Sequence, residues 1–198
     1  MNKFYKNKTI FLIVLIFFIL VILSIVIYFY ILKQKEQKLY SFSETLDEKY
    51  QTLSLYSNNN IVNSSASNSS HIIGKIKIEK INLNYSILST CSEELLKISP
   101  CRLYGPEPNQ IGNLCIAGHN YDNGKFFSNI NKLSIGDIIR IYDLNNEYLE
   151  YSIYDKFEVE INDTSVLSQD TNGKKELTLI TCNNKKKNRF ILKAKQMD

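Results

Sequence analysis

The chain has 198 residues, of which 44% are hydrophobic and 22% charged, and its formal net charge is +4. Seven glycines and three prolines exclude a collagen-like chain, and the abundant β-branched and aromatic residues exclude a wholly disordered one. The first 40 residues hold six lysines and one glutamate, so the remainder, with 18 basic and 19 acidic side chains, is nearly neutral. This balance excludes an extreme polycation, and no nucleic-acid partner is expected.

One long apolar segment lies near the N-terminus. Residues 10–32 read IFLIVLIFFILVILSIVIYFYIL and carry no charge. As an α-helix they would extend about 34 Å, compared with about 30 Å for the hydrocarbon core of a bilayer. A cleaved signal peptide has a shorter apolar core followed by small residues, whereas this segment ends in Tyr28, Phe29 and Tyr30. We therefore predict an uncleaved transmembrane anchor that contacts membrane lipid.

The segments around the anchor complete the predicted organisation. Residues 1–9 form a short tail, and lysines on both sides of the anchor leave its orientation open. Residues 33–56 have apolar side chains three or four positions apart, which favours a membrane-proximal helix or stalk. Residues 57–70 are mostly serine and asparagine and are predicted to be a flexible linker. The folded domain is then expected at residues 71–198.

Beyond the linker, short apolar segments alternate with turn signals. Ile76 and Ile78 alternate with charged neighbours, as in a strand with one buried face. The other segments with strand character lie at residues 83–88, 114–118, 137–143, 147–160, 176–182 and 189–195. Short helices are expected at residues 93–98 and 125–133. Seven or eight short strands with two small helices predict a mostly β fold that forms a closed or nearly closed barrel.

Few residues are available for catalysis in this domain. The chain has two histidines, and because His71 lies at the edge of the linker, imidazole chemistry depends on His119. Of the four cysteines, Cys182 ends an apolar strand and has four basic residues within the next seven positions. Cationic neighbours favour the thiolate form of cysteine, which is the nucleophile. Each feature alone is more typical of an ordinary structural residue, so the functional hypothesis depends on their combination.

The last two predicted strands place an arginine beside this cysteine. If they form a hairpin that closes symmetrically over residues 183–188, Cys182 lies opposite Arg189, and Ile180 lies opposite Ile191. Directly opposed residues of an antiparallel pair project to the same side of a sheet. The thiol and the guanidinium are therefore expected to share one face.

The motifs GNLCIAGHN (residues 112–120) and TLITC (residues 178–182), followed by an arginine in the next strand, resemble those of the sortase family. Sortases are membrane-anchored cysteine transpeptidases of Gram-positive bacteria. The resemblance covers residues 72–195 and implies an eight-stranded β-barrel that needs no cofactor and no metal. It implies cleavage of an LPxTG-like sorting signal through a thioacyl intermediate. The surface protein would then pass to an amine of a cell-wall precursor, with the domain outside the cell and residues 1–9 in the cytoplasm.

The resemblance also implies a role for each matching residue. Cys182 would be the nucleophile, His119 the general acid or base, and Arg189 the donor to the substrate carbonyl and its developing oxyanion. Thr181 would contact the sorting-signal peptide. The short segment at residues 163–175 and the absence of a lid-like insertion before the barrel favour class D or class A, with class D preferred.

Two other interpretations compete with this one. Cys91, Cys101, Cys115 and His119 are potential zinc ligands, but no C-x-x-C pair occurs, and Cys115 and His119 would lie about 13 Å apart along a strand. A disulfide between Cys91 and Cys101 stays open. The alternative function is a non-catalytic, membrane-tethered β-domain that binds a surface partner, although such a module would not need His119, Cys182 and Arg189 together.

Overall fold

The computed structural model describes residues 2–57, 71–183 and 187–197, which divide into two units, Met1–Ser41 and Phe42–Asp198. Residues 2–41 of the first unit lie within helix α1 (Asn2–Ser57), which contains a candidate membrane span at Val14–Lys35 with a mean hydropathy of 3.1. This span overlaps most of the predicted anchor at residues 10–32. The predicted stalk is helical as far as Ser57, whereas residues 58–70 of the predicted linker lie outside the described residues.

The second unit contains the predicted β-barrel. Its strands and its short helix α2 are β1 (Ile72–Ile78), β2 (Leu83–Leu88), α2 (Glu93–Leu96), β3 (Cys101–Tyr104), β4 (Gly112–Ala117), β5 (Ile138–Tyr142), β6 (Tyr148–Val159), β7 (Lys175–Asn183) and β8 (Asn188–Gln196). The eight strands form one closed sheet in the order β1-β2-β3-β4-β7-β8-β6-β5, with β5 pairing back onto β1. The expected eight-stranded closed barrel is therefore confirmed.

Alternation of side chains along the strands gives the barrel its interior. In β7, Leu177 and Leu179 point into the main core, whereas Ile180 packs in a separate apolar cluster with Cys115 and Val166. Successive residues of a strand project to opposite faces, so the two clusters lie on opposite sides of the sheet. Burial of branched apolar side chains on the interior face stabilises the closed barrel, at about 25 cal/mol per Å² of apolar surface removed from water.

A smaller apolar cluster extends to the predicted stalk. Leu46 of α1 is only 8% exposed and packs with Ile72, Leu88 and Cys101. The Ser86 hydroxyl also donates a hydrogen bond to the Leu46 carbonyl oxygen at 3.4 Å. The second unit accordingly begins before residue 71, where we predicted the start of the folded domain.

Two local expectations from the sequence were wrong. Residues 125–133 do not form a helix, and only Ile130–Lys132 adopt a 3₁₀ turn. The reason is that Phe126 pairs with Asn120 in an isolated bridge, and the Phe127 amide donates to the His119 carbonyl oxygen at 3.0 Å. Because the backbone of Phe126 and Phe127 is paired with the residues that follow β4, it does not adopt a helical conformation.

The other wrong expectation concerns residues 93–104. Helix α2 ends at Leu96 instead of residue 98, and strand β3 follows at a place where the sequence showed no strand pattern. Strand β3 has only four residues and joins β2 at a single parallel pair, Leu88 with Cys101, so its existence depends on the neighbouring strand β4. Such a short strand leaves almost no periodic signal in the sequence.

A buried amide connects β4 to the segment between β6 and β7. The Asn113 side chain has no exposed area and donates to the carbonyl oxygens of Val166 and Ser168 at 3.1 and 3.0 Å. Its amide oxygen accepts the Thr178 hydroxyl at 2.7 Å. The Gln169 side chain forms two hydrogen bonds with the backbone of Asn113: it accepts from the N–H and donates to the carbonyl oxygen, each at 3.0 Å. Asn113 thus satisfies several buried groups at once.

We expect Asn113→Ala to lower the free energy of unfolding by about 3 kcal/mol, because it leaves more than one buried polar group without a partner. Thr178→Val removes a single hydroxyl and should cost about 1 kcal/mol. The exposed Asn84→Ala, in β2, is the control and should change stability by less than about 0.5 kcal/mol. Urea denaturation of residues 42–198 followed by circular dichroism measures all three. Equal stabilities of the Asn113 and Asn84 variants would contradict this role.

Candidate active site

Two parallel strands bring His119 and Cys182 together. Strands β4 and β7 pair in register from Gly112 with Lys175 to Ala117 with Ile180. His119 lies two residues beyond Ala117, and Cys182 lies two residues beyond Ile180. Because both strands run in the same direction, the equal offset places the imidazole and the thiol at the same end of the sheet. The even offset places them on the face that Ala117 and Ile180 occupy.

The hairpin of β7 and β8 adds the arginine. Cys182 pairs with Arg189, and Ile180 pairs with Ile191, which is the predicted register. Opposed residues in an antiparallel pair have Cβ atoms about 4.5–5.5 Å apart, so the two side chains start from neighbouring positions on one face. The pairing continues to Asn183 with Asn188, so these two residues of the expected six-residue connection belong to the strands.

All three residues line one cavity with a volume of about 280 Å³. Its walls come from the β2–β3 segment and from strands β3, β4, β7 and β8, and most of its lining is apolar. The lining residues are Cys91, Ser92, Glu93, Leu96, Leu103, Ala117, Gly118, His119, Ile180, Thr181, Cys182 and Arg189. The arrangement presents the Cys182 thiol, the imidazole and the guanidinium inside an apolar recess on the outer face of the barrel.

Gly118 positions the backbone that carries the imidazole. A Cβ atom at this residue would lie only 2.7 Å from ring atoms of Phe127, which is a severe overlap. Phe127 has no exposed area and belongs to the main core, so its ring cannot move away. The glycine in the AGH motif is therefore required for close packing, and the residue that follows it is held in place by a buried aromatic ring.

One backbone and two side-chain hydrogen bonds connect the two strand ends beyond the paired residues. The Gly118 amide donates to the Ile180 carbonyl oxygen at 3.1 Å, and the Thr181 hydroxyl donates to the Gly118 carbonyl oxygen at 2.7 Å. The side-chain amide nitrogen of Asn120 donates to the Cys182 carbonyl oxygen at 2.8 Å. These bonds tie the backbone of the thiol-bearing residue to the strand that carries the imidazole.

A carboxylate on β6 holds the end of the hairpin. The two oxygens of Glu158 accept hydrogen bonds from the side-chain amides of Asn183 at 2.8 Å and Asn188 at 2.9 Å. Asn183 follows Cys182 and Asn188 precedes Arg189, so the carboxylate holds the residues adjacent to both. Hydrogen bonds to an ionised carboxylate are roughly twice as strong as those between neutral groups.

The environment of His119 favours the neutral imidazole. Burial is the largest influence and lowers the pKa of His119; the positive charge of Lys97 lowers this pKa further, and the negative charge of Glu93 raises it. The Nε2 atom is buried and has no hydrogen-bond partner among the described residues. A ring contact with Tyr121, at 4.9 Å between centroids, packs against the imidazole.

The other three cysteines differ from Cys182 in exposure. Cys182 is exposed, Cys91 is half-buried, and Cys101 and Cys115 have no exposed area. Burial raises the pKa of Cys115 to about 11, which suppresses its thiolate. All four thiols are free. Within the described ranges, no group of three or more histidine, cysteine and acidic side chains comes together as a metal site.

Comparison with known proteins identifies the family. The family model described as a sortase domain matches residues 76–197, which is more than half of the chain. The chain belongs to the sortase family. This family comprises cysteine transpeptidases that anchor surface proteins to the cell wall.

Individual sortases resemble this chain to different extents. Sortase A of Bacillus anthracis is 36% identical over 112 residues, which cover 56% of this chain and 52% of that protein, so the match spans about half of the curated relative. The solved Clostridium perfringens sortase D5 transpeptidase is 30% identical, with a TM-score of 0.63, and the match covers 80% of this chain and 97% of that one.

A third comparison is with a structure that includes a sorting motif. The structure of Clostridium perfringens sortase C with the C-terminal cell wall sorting motif has a TM-score of 0.59. The match covers 82% of this sortase and 90% of that chain at 20% identity, which shows the shared fold alone.

The structural roles of two polar residues, Asn120 and Glu158, were not predicted from the sequence. Asn120 follows His119 directly, so its position in the motif offered a signal, but its contact with Cys182 depends on the register of two parallel strands. Glu158 belongs to no recognisable sequence motif, and its contacts could not be predicted because they depend on the pairing of β6 with β8. Thr181, expected to contact peptide, lines the cavity while its hydroxyl bonds Gly118.

We expect the pKa of His119 to lie below that of an unperturbed histidine, because burial penalises the charged form. Lys97→Ala removes a repelling charge and should raise this pKa, whereas Glu93→Gln removes an attracting charge and should lower it. NMR titration of the imidazole protons measures both shifts, with His71→Ala used to assign the second histidine. Shifts of the same sign in the two variants would contradict the electrostatic explanation.

Proposed function

We propose that this sortase is a membrane-anchored cysteine transpeptidase that cleaves an LPxTG-like sorting signal and joins the surface protein to a cell-wall amine. The observation that carries the proposal is the convergence of Cys182, His119 and Arg189 on one apolar cavity. The match with the Clostridium perfringens sortase D5 transpeptidase over nearly the whole of that solved chain supports the same reaction class. A binding module has no comparable need for all three groups.

In the first half-reaction, the Cys182 sulfur attacks the scissile carbonyl carbon of the peptide, and its proton passes to His119. A neutral imidazole is the form that accepts this proton, and burial favours that form. The tetrahedral intermediate carries a negative oxygen that receives hydrogen bonds from Arg189. When the carbon–nitrogen bond breaks, His119 returns the proton to the leaving amine, and a thioester remains on the cysteine.

In the second half-reaction, an amine of a cell-wall precursor attacks the thioester carbon. His119 takes the proton that the attacking amine loses, Arg189 again stabilises the oxyanion, and the Cys182 thiolate leaves. The products are a new amide and free enzyme. Water in place of the amine gives hydrolysis as the side reaction.

The cavity also provides the surface for the peptide. Its mainly apolar lining suits the apolar residues of a sorting signal, and we propose that Thr181 contacts the peptide beside the nucleophile. The structural relative with a C-terminal cell wall sorting motif supports a ligand of this kind. We assign the enzyme to class D or class A, with the D5 relative favouring class D and the sortase A relative favouring class A.

We expect Cys182→Ala to abolish cleavage of every peptide in an LPxTG-like panel, with hydroxylamine or glycine peptides as acceptor, while the circular dichroism spectrum is unchanged. The matched control is Cys115→Ala, which removes a buried thiol of the neighbouring strand and should keep activity. Intact-mass spectrometry should place the acyl adduct on Cys182 alone.

Two results would contradict this assignment. An adduct on another cysteine would overturn the role of Cys182. A complete lack of turnover by the unmodified enzyme across the panel, combined with tight peptide binding, would favour the alternative function, a non-catalytic membrane-tethered domain that binds a surface partner.

A substitution can separate two roles of Arg189: hydrogen-bond donation to the oxyanion and stabilisation of the thiolate by its positive charge. Arg189→Lys keeps the positive charge but loses the planar pair of directed donors. Because loss of a positioned oxyanion donor costs about 10²- to 10³-fold in rate, we expect kcat/KM to fall at least about a hundredfold. Alkylation of Cys182 by iodoacetamide, which forms no oxyanion, should change far less. Parallel losses in both reactions would instead assign Arg189 to thiolate stabilisation by charge.

We propose that residues 1–9 lie in the cytoplasm, that the apolar helix crosses the membrane once and that the catalytic domain is extracellular. Protease added to intact protoplasts is then expected to remove the catalytic domain, as detected with an antibody against residues 71–198. An antibody against a cytoplasmic protein serves as the control for intact membranes. Protection of the domain in intact protoplasts, with digestion after lysis, would reverse the orientation.

A further inference from the structure

A pair of cysteines lies at one wall of the active-site cavity. The segment at residues 89–100 connects β2 to β3 and carries helix α2. Cys91 lies near the beginning of this segment, and Cys101 follows its end as the first residue of β3. The residues between the two cysteines include Ser92, Glu93 and Leu96, which line the cavity that contains Cys182. The proposed reaction uses neither Cys91 nor Cys101.

The two thiols interact. Cys91 packs against the apolar cluster that contains Cys101, and a side-chain hydrogen bond between the two thiols is the largest influence on the pKa of each. Cys101 is held firmly, because it pairs with Leu88 on one side and with Ala117 on the other. Its sulfur also donates to the Ser99 carbonyl oxygen at 3.3 Å. One sulfur therefore has a fixed position, and the other lies beside it on an irregular segment.

Access to the two sulfurs is unequal. Cys91 is partly exposed and lines the active-site cavity as well as an adjoining cavity of about 390 Å³ that extends along β3. Cys101 has no exposed area. The hydrogen bond between the two thiols lowers the pKa of Cys91, whereas the same bond and burial raise the pKa of Cys101. A small reagent therefore meets Cys91 first, and Cys91 is the better nucleophile of the pair.

We propose that Cys91 and Cys101 form a reversible disulfide, with a hydroperoxide as the oxidant. The Cys91 thiolate attacks one peroxide oxygen, the O–O bond breaks, and the sulfur becomes a sulfenic acid as the first water or alcohol leaves. The Cys101 sulfur then attacks the Cys91 sulfur, loses its proton and releases the sulfenic oxygen as water. The two thiols together lose two electrons and two protons, and the peroxide gains both.

This bond would attach the cavity wall to the barrel. The segment between the cysteines is now held mainly by its own turns and by apolar packing, whereas the disulfide joins its start to a strand in the closed sheet. A disulfide restricts the chain between the bridged residues. Oxidation therefore makes the wall that carries Ser92, Glu93 and Leu96 more rigid without using the nucleophile.

The test uses the full-length chain in detergent with Cys182→Ala, which removes the exposed thiol that would compete for peroxide. The protein is reduced, treated with hydrogen peroxide, alkylated, unfolded without reductant and digested with trypsin. Cleavage after Lys97 and Arg102 places Cys91 in the peptide of residues 81–97 and Cys101 in that of residues 98–102. The expected result is that these two peptides are joined, lighter by two hydrogens than the sum of the reduced pair, and released by dithiothreitol.

Matched variants make the result specific. Cys91→Ser and Cys101→Ser, each in the Cys182→Ala background, should give no joined peptide, while Cys115→Ala should give the same joined peptide as its parent. Brief tryptic cleavage at Lys97 in the folded protein should be slower after oxidation, and this slowing should be absent in Cys101→Ser. The proposal is overturned if peroxide converts Cys91 to sulfinic acid without the joined peptide, or if Cys91 is joined to Cys115 instead.

Discussion

The parallel pairing of β4 with β7 is the constraint on which the site depends. The last residue pair of the two strands is Ala117 with Ile180. His119 and Cys182 each lie two residues beyond this pair, so the register places them side by side. A slip of one residue in either strand would turn either His119 or Cys182 to the opposite face of the sheet. The antiparallel register of β8 then adds Arg189 to the same face. The geometry of the proposed catalytic site is thus a consequence of strand register.

The groups around these three residues limit their freedom to move. Gly118 admits the Phe127 ring, which fixes the backbone before the imidazole. Asn120 holds the carbonyl of the thiol-bearing residue, and Glu158 holds the asparagines on either side of the hairpin end. Sites that act by positioned hydrogen bonds need such support, because small displacements of a donor weaken its bond to the developing charge.

Much of this architecture was predictable from the sequence because it depends on local patterns. Alternating residues identified the long strands, and the symmetric hairpin gave the pairing of Cys182 with Arg189. Strand β3 and the contacts of Asn120 and Glu158 were missed, since each depends on a partner outside its own segment. The helix expected at residues 125–133 was wrong for a related reason: a pairing with the residues after β4 overrides the local helical pattern. The catalytic roles stay predictions.

The strand order also has a consequence for folding. Strands β4 and β7 are neighbours in the sheet, but β5 and β6 lie between them in the chain and close the other side of the barrel. Their pairing has high contact order, and such pairings form late because a long loop must first lose its conformational entropy. An emerging or partly folded chain therefore carries an isolated thiol on an unpaired strand. The three proposed catalytic residues come together only when the barrel closes, so the proposed site is complete only at the end of folding.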